Sequence, residues 1–184
     1  MSETMKVDIC VIGGGSGGLS VAAIAAQMGA QTVLLEKYKM GGDCLNYGCI
    51  PSKALLAAGH AAQSVREADR FGITATGPAS RSEDIYGRVR GVIGAIQPQD
   101  SEERFEGLGV RVIKAAGKFA GRQEVKADGV FIKARRVVVS TGSTAFVSPI
   151  PGLDKVPYLT NETIFNCDKL PQHLIVIGGG PVGI

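Results

Sequence analysis

Apolar residues along this chain change period several times, and the changes outline its elements. Residues 6–12, KVDICVI, form an apolar run of strand length, and three glycines follow at once. The next stretch, SGGLSVAAIAAQMG, is Ala-rich and predicts a helix closed by Gly29 as C-cap. Residues 31–36, QTVLLE, predict a second strand. Strand, glycine turn, helix and strand make a βαβ unit, so the sheet is expected to be parallel here. Residues 54–68 have helical composition. Ile85, Val89, Val92, Ile93 and Ile96 recur at helical spacing and predict a second long helix, ended or kinked by Pro98. Residues 110–114 alternate as a strand. Three short β-type runs follow, around Phe119, Val125 and residues 131–133, with turns at Arg122-Gln123 and Asp128-Gly129, an antiparallel meander. Residues 136–141, RVVVST, read as a buried strand. Pro149, Pro151, Gly152 and Pro157 make a connector, and residues 174–177, LIVI, predict one more strand. The fold class expected is α/β, with a parallel sheet, an inserted helical pair and an antiparallel β-meander.

Composition narrows the class. With 184 residues, 45 % hydrophobic and 20 % charged, the chain has the balance of an ordinary globular protein with a sizeable core. A net charge of +3 is too small to argue for a nucleic-acid partner, and Lys133-Ala134-Arg135-Arg136 reads as a solvated strand end. No apolar run reaches the roughly 18 residues of a membrane span, and the polar residues 1–6 contain no secretory core. A cytoplasmic location without a membrane partner is expected. Stable disulfides are uncommon in such a compartment, where a close cysteine pair is more often catalytic or metal-binding.

Gly13-x-Gly15-x-x-Gly18 follows a strand and opens a helix, and Glu36 closes the next strand 18 positions after Gly18. In that setting the motif reads as a Rossmann-type adenine-dinucleotide turn rather than a plain glycine-rich loop. Gly13 permits the tight turn, Gly15 lets the backbone approach a pyrophosphate, and Gly18 lets helix and sheet pack closely. The helix start holds phosphates with its N–H groups, and Glu36 can accept hydrogen bonds from a ribose. Gly178-x-Gly180-x-x-Gly183 repeats the pattern at the far end, where its helix and acid would fall beyond Ile184. The chain is therefore expected to be part of a longer protein with two dinucleotide sites.

Cys44 and Cys49 stand in GGDCLNYGCIPSK. Five helical steps advance about 7.5 Å, and a disulfide needs Cα atoms within about 7 Å. The two cannot share one regular helix and be bonded, and Pro51 cannot donate to the carbonyl of Tyr47. A distorted turn from Cys44 to Gly48 is expected, then a regular helix from about Ile50. A thiolate near that helix start would be stabilised by the helix dipole and by Lys53. A structural staple closing so short a loop adds little in a chain with a full core. Zinc needs two more ligands, and neither Cys10, in a strand, nor Cys167, in a loop, has the spacing, so no metal site is expected. Two dinucleotide turns and a dithiol together suggest electrons passing between a nicotinamide, a flavin and a disulfide.

VIGGGSGG with Glu36, GGDCLNYGCIPSK and IVIGGGPVG, in this order, resemble the flavoprotein disulfide reductases, the class I pyridine nucleotide-disulfide oxidoreductases. The resemblance implies a Rossmann-type FAD-binding domain over residues 1–150, with the connector and first strand and turn of an NAD(P)-binding domain over 151–184. It implies that Gly13, Gly15, Ser16, Gly17 and Gly18 hold the FAD pyrophosphate and Glu36 the adenosine ribose. Gly42 and Cys44 would also contact the cofactor, and Asp43, standing where Thr is usual, would approach the flavin phosphates. Cys49 would be the charge-transfer thiolate, Cys44 the thiol exchanging with substrate, and Lys53 the neighbour of the flavin N5. Gly117 would contact adenine, Thr141 and Gly142 match the family's Thr-Gly, and Gly178, Gly180 and Gly183 would serve NAD or NADP. Leu45, Ile50, Ser52 and KALL look like dihydrolipoyl dehydrogenase. IQPQDSEERFEGLGVRV is more similar to a mercuric-reductase-like branch, and a redox-sensing flavin module is a third reading. A lipoyl-type or other small disulfide substrate and a homodimer in the full-length protein are implied. His60 and His173 match no catalytic position, and this segment alone is expected to be inactive.

Overall fold

The computed structural model describes residues 4–183. Residues 1–3 of the polar amino terminus, and Ile184 after the second glycine turn, lie outside the described residues. The elements run β1 (Thr4–Ile12), α1 (Ser16–Gln27), β2 (Thr32–Leu35), α2 (Gly42–Asn46), α3 (Cys49–Arg66), α4 (Ser82–Ile96), α5 (Glu102–Gly107), β3 (Val110–Ile113), β4 (Lys118–Gly121), β5 (Glu124–Ala127), β6 (Val130–Val139) and α6 (Asn161–Ile164). The chain divides into two compact units. One comprises Met1–Asn46 and Gly94–Thr144, the other Tyr47–Ile93 and Ala145–Ile184.

The first unit is built on a six-stranded sheet of order β3-β2-β1-β6-β5-β4. The β3, β2, β1 and β6 strands are parallel, and β6, β5 and β4 are antiparallel neighbours. It is a Rossmann-type α/β sheet carrying a β-meander. Alternate residues of each strand point to opposite faces, and both faces of this sheet are covered. Cys10, Ile12, Val33 and Leu35 join Val125, Ala127, Ile132 and Ala134 in one cluster. Val11, Leu34 and Val110 join Leu19 and Ala22 of α1 and Phe105 of α5 in the other. That double burial is why residues 9–12 and 33–35 are apolar without interruption. Asp128 (φ +46°) and Gly129 (φ +76°) make the left-handed pair of a tight turn between β5 and β6, as Asp-Gly led us to expect. After α1, Gly29 (φ +84°) closes the helix, its N–H donating to Ala26 O at 2.9 Å while that of Ala30 donates to Ala25 O at 3.0 Å.

The RVVVST stretch departs from its buried-strand reading. Residues 136–139 continue the strand that begins at Val130, and the strand ends before Ser140. There β6 pairs with β1 on one side only, because β5 reaches it only at Val130–Lys133. The other edge is open, and Val139 is 60 % exposed.

In the second unit α3 buries Pro51 and Ala54, and α4 buries Tyr86 and Val89. A Thr160 cap, whose hydroxyl accepts from Glu162 N at 3.3 Å, starts α6. The strand expected at residues 174–177 does not form, and Ile175 is 77 % exposed. An isolated run of β-formers has no hydrogen-bonded neighbour here, and strands are stabilised by pairing rather than by propensity. Among the described residues no helix is long and apolar enough to cross a membrane.

Candidate functional site

Because β1, β2, β3 and β6 are parallel, their carboxyl ends share one edge of the sheet, where ligands of open α/β sheets bind. The glycine turn leaves β1 at this edge. Gly13 takes φ +110°, and a Cβ there would run into the carbonyl of Ser140, so Gly13 brings the turn against Ser140 and Thr141. The Ser140 N–H closes that approach on Ile12 O at 2.8 Å. A Cβ at Gly18 would run into the carbonyl oxygen of Gly13 and lie 3.2 Å from Val11 Cγ1, so only glycine lets α1 start this close to β1. Gly117 lies over the same edge, with a Cβ there 2.7 Å from Leu35 Cδ1 and 3.4 Å from Ile12 Cγ2.

Glu36 is a buried charge at the end of β2. Its Oε2 accepts from the Gly14 N–H at 2.6 Å, and its Oε1 accepts from the Tyr38 N–H at 2.6 Å. The carboxylate is thus turned toward the glycine turn. Past it, Lys114 Nζ donates to Tyr38 O at 2.8 Å and lies 3.4 Å from Glu102 Oε1. The Tyr38 contact had no signal in the sequence, since Tyr38 and Lys114 are 76 positions apart.

The start of α1 above the turn carries no side chain that would block an anion. Gly15 is the N-cap of α1, no side chain caps that helix end, and its first turn holds no acid. Its backbone N–H groups are therefore available to an anion. Ser16 and Gly17 are exposed, and a Cβ at Gly17 would meet nothing within 4 Å.

The dithiol segment is attached to this turn by backbone. The Gly41 N–H donates to Gly14 O at 2.9 Å, and a Cβ at Gly42 (φ +56°) would lie 2.6 Å from Gly15 Cα. Gly14 and Gly41 were missed as contributors, although the glycine runs containing them were the signal. The expected distorted turn is in fact a short regular helix, α2, carrying Gly42, Asp43 and Cys44, followed by a break at Tyr47 and Gly48. Asn46 Nδ2 closes α2 by donating to Gly42 O at 2.8 Å and Met40 O at 3.1 Å. Gly48 (φ −131°, ψ −110°) leaves the helical region, and Cys49 is already in α3. The two cysteines therefore stand on different helices. All four cysteines are thiols in this structure. Cys44 is half-buried, and Cys49, Lys53 and Asp43 are exposed.

The structure gathers Gly13, Gly15, Ser16, Gly17, Gly18, Glu36, Gly42, Asp43, Cys44, Gly117, Thr141 and Gly142 in the first unit. Cys49, Lys53, Gly178, Gly180 and Gly183 belong to the second. Cys10 is inside the sheet, and burial pushes its thiol up to about 11. Cys167 lies outside any helix or strand, beside the buried Tyr86, whose hydroxyl is raised first by burial and then by that thiol. His60 and His173 are exposed.

A mercuric reductase from Streptomyces lividans is 34 % identical over 183 residues, covering 96 % of this chain and 39 % of that protein. A dihydrolipoyl dehydrogenase from Acholeplasma laidlawii is 33 % identical over 184 residues, covering 97 % of this chain and 54 % of the relative. Another, from Chlamydia trachomatis, is 36 % identical over 185 residues, covering 96 % and 39 %. The chain thus spans between 39 % and 54 % of these relatives' lengths. The family model described as pyridine nucleotide-disulphide oxidoreductase matches residues 7–184, and the chain belongs to that family.

Proposed function

We propose that this chain is the FAD-binding part of an enzyme that exchanges electrons between a nicotinamide cofactor and a disulfide through Cys44 and Cys49. The observation that carries the reading is the backbone joint between the Gly14-Gly15 turn and Gly41-Gly42, which ties the helix of Cys44 to a phosphate-type turn. In this reading residues 1–150 form the FAD domain and 151–184 begin an NAD(P) domain. Gly13, Gly15, Ser16, Gly17 and Gly18 hold the pyrophosphate, Glu36 the ribose, and Gly117, Thr141 and Gly142 line the remaining edge. Gly178, Gly180 and Gly183 open the nicotinamide site. The full-length protein is a cytoplasmic homodimer.

Of the two relatives' activities, dihydrolipoyl dehydrogenase is the one favoured by Leu45, Ile50 and Ser52 around the dithiol. A thiolate of the reduced substrate attacks the sulfur of Cys44 in a Cys44–Cys49 disulfide, and Cys49 leaves as a thiolate. The second substrate thiol then attacks the substrate sulfur of the mixed disulfide, releasing Cys44. The substrate leaves as a disulfide, and its two electrons reside on the protein dithiol. Bound FAD would supply the two-electron redox chemistry linking that dithiol to a nicotinamide. Cys49 is the first residue of α3, and Lys53 stands one turn further along the same helix. The mercuric-reductase reading draws on residues 96–112 and on the Streptomyces relative.

Steady-state assays of the full-length protein with NADH or NADPH, against lipoamide and against mercuric ion, separate the two. High turnover of lipoamide with NAD(H), abolished in both Cys44→Ser and Cys49→Ser, is the expected outcome. Turnover of mercuric ion alone selects the second reading, and no turnover of either leaves a redox-sensing flavin module. Both thiols remaining alkylatable after mild oxidation would overturn the dithiol chemistry altogether.

A further inference from the structure

We infer that Lys114 is a positioning residue for the adenosine end of the flavin site, acting through the loop Glu36–Tyr38. The inference rests on the reading above in which Glu36 receives the ribose of FAD.

A carboxylate that recognises a ribose diol must present its lone pairs in a set direction. Both oxygens of Glu36 are already oriented by backbone donors, Gly14 N–H on Oε2 and Tyr38 N–H on Oε1. The two donors differ in firmness. Gly14 sits buried in the glycine turn between β1 and α1. Tyr38 belongs to an exposed loop outside any strand, and its ring is 73 % exposed. Lys114 ties that loop to the end of β3. Its Nζ donates to Tyr38 O at 2.8 Å, a charge-assisted hydrogen bond reaching across 76 residues of sequence. Lys114 follows directly on β3, where Glu36 N–H still donates to Ile113 O at 3.0 Å, so its main chain is anchored by the sheet. Glu102, in the first turn of α5, holds the ammonium from the other side at 3.4 Å.

Tyr38 is thus gripped twice, its N–H by Glu36 and its carbonyl by Lys114. Without the ammonium the carbonyl loses its charged donor, the loop gains freedom, and the donor that orients Oε1 moves with it. Lys114 itself touches neither Glu36 nor the glycine turn through any of these bonds, so its effect on the ligand passes through Glu36.

A double-mutant cycle tests this in the full-length protein stripped of flavin. FAD dissociation constants are measured by flavin fluorescence for wild type, Lys114→Met, Lys114→Arg, Glu36→Gln and the Glu36→Gln/Lys114→Met pair, with thermal midpoints alongside. Lys114→Met is expected to raise the FAD Kd about tenfold, and Lys114→Arg, which keeps a charged donor, to stay within about threefold of wild type. In the Glu36→Gln background the Met substitution should change the Kd by less than about twofold, because coupled residues are not additive. Equal losses in both backgrounds would show an ordinary structural role and overturn the inference. So would a Lys114→Met Kd within about twofold of wild type. If Glu36→Gln weakens FAD and Lys114→Met does not, the clamp alone fails. If Glu36→Gln leaves FAD binding unchanged, the ribose reading fails and the clamp with it. Should Lys114→Met not fold, the same cycle with Lys114→Gln decides.

Discussion

In the first glycine turn Gly13 takes φ +110°, and in the second Gly178 takes φ +118°. A Cβ at Gly18 would run into Gly13 O and lie 3.2 Å from Val11 Cγ1. One at Gly183 would run into Gly178 O and lie 3.3 Å from Val176 Cγ1. The turns match in backbone and differ in surroundings. A Cβ at Gly13 would meet Ser140 and one at Gly14 would meet Glu36, whereas those at Gly178 and Gly179 would meet nothing within 4 Å. Val11 and Leu34 are fully buried beside the first turn, while Leu174, Ile175, Val176 and Ile177 before the second are all exposed. Local sequence is therefore enough to shape the turn, since positive φ and the close Gly-to-Gly approach are demands on a few neighbouring residues. Sheet, acid and helix packing come from elsewhere in the chain, and only the first turn has them among the described residues.

The comparison breaks most visibly at the third glycine. Gly18→Ala and Gly183→Ala introduce the same local collision with a carbonyl, and overpacking of this kind costs about 1–3 kcal/mol, or roughly five- to a hundred-and-fifty-fold in affinity. In the full-length protein Gly18→Ala should weaken FAD by that order and leave nicotinamide binding intact, with Gly183→Ala doing the reverse. Flavin fluorescence and NADH titrations read the two. Loss of FAD from both variants would mean that the turns do not serve separate ligands.

A smaller effect separates the strands. Val11→Ala removes fully buried methyl groups and should lower unfolding stability by about 2 kcal/mol. Val176→Ala, at a residue 54 % exposed, should stay within about 0.5 kcal/mol in this chain. Urea denaturation measures both. Repeating the pair in the full-length protein sharpens the contrast, because a second strand that gains sheet partners should approach the cost of the first.

The smallest effect lies on the buried face of β1. Burial raises the Cys10 thiol to about 11, above its ordinary value of 9.0. The unfolded chain therefore releases this proton first as pH rises, so Cys10 contributes stability that is complete below about 9 and lost towards about 11. Cys10→Val should flatten part of the alkaline decline in denaturation midpoint over that window. At neutral pH, alkylation followed by mass analysis should modify the exposed Cys49 well before Cys10. A Cys10 reacting as fast as Cys49 would contradict its burial.

Much of the fold was legible because its signals are local. The apolar runs at residues 6–12 and 31–36, the Ala-rich α1, Gly29 after it and Asp128-Gly129 each encode a conformation within a few residues. The Cys44–Cys49 spacing excluded one regular helix only for a bonded pair, and Pro51 pointed the same way; the division into α2 and a helix beginning at Cys49 needed the hydrogen bonds of Asn46 and the dihedrals of Gly48. The RVVV end of β6 and the LIVI run at 174–177 were misread for one reason. Apolar composition shows that a segment can be buried in a sheet, and the neighbouring strand decides whether it is.

The sequence by itself determined the β1-α1-β2 unit, the β-meander, the two glycine turns and the acid at the end of β2. These depend on side-chain period, permitted φ and ψ, and short spacings. Tertiary structure alone decided which backbone Glu36 faces, that Gly42 rests on Gly15, that Ser140 passes over Gly13, and that Lys114 reaches Tyr38. Such contacts join segments tens of residues apart, and no local propensity specifies them. They follow from the order and register of strands in the sheet, set by burying both of its faces at once.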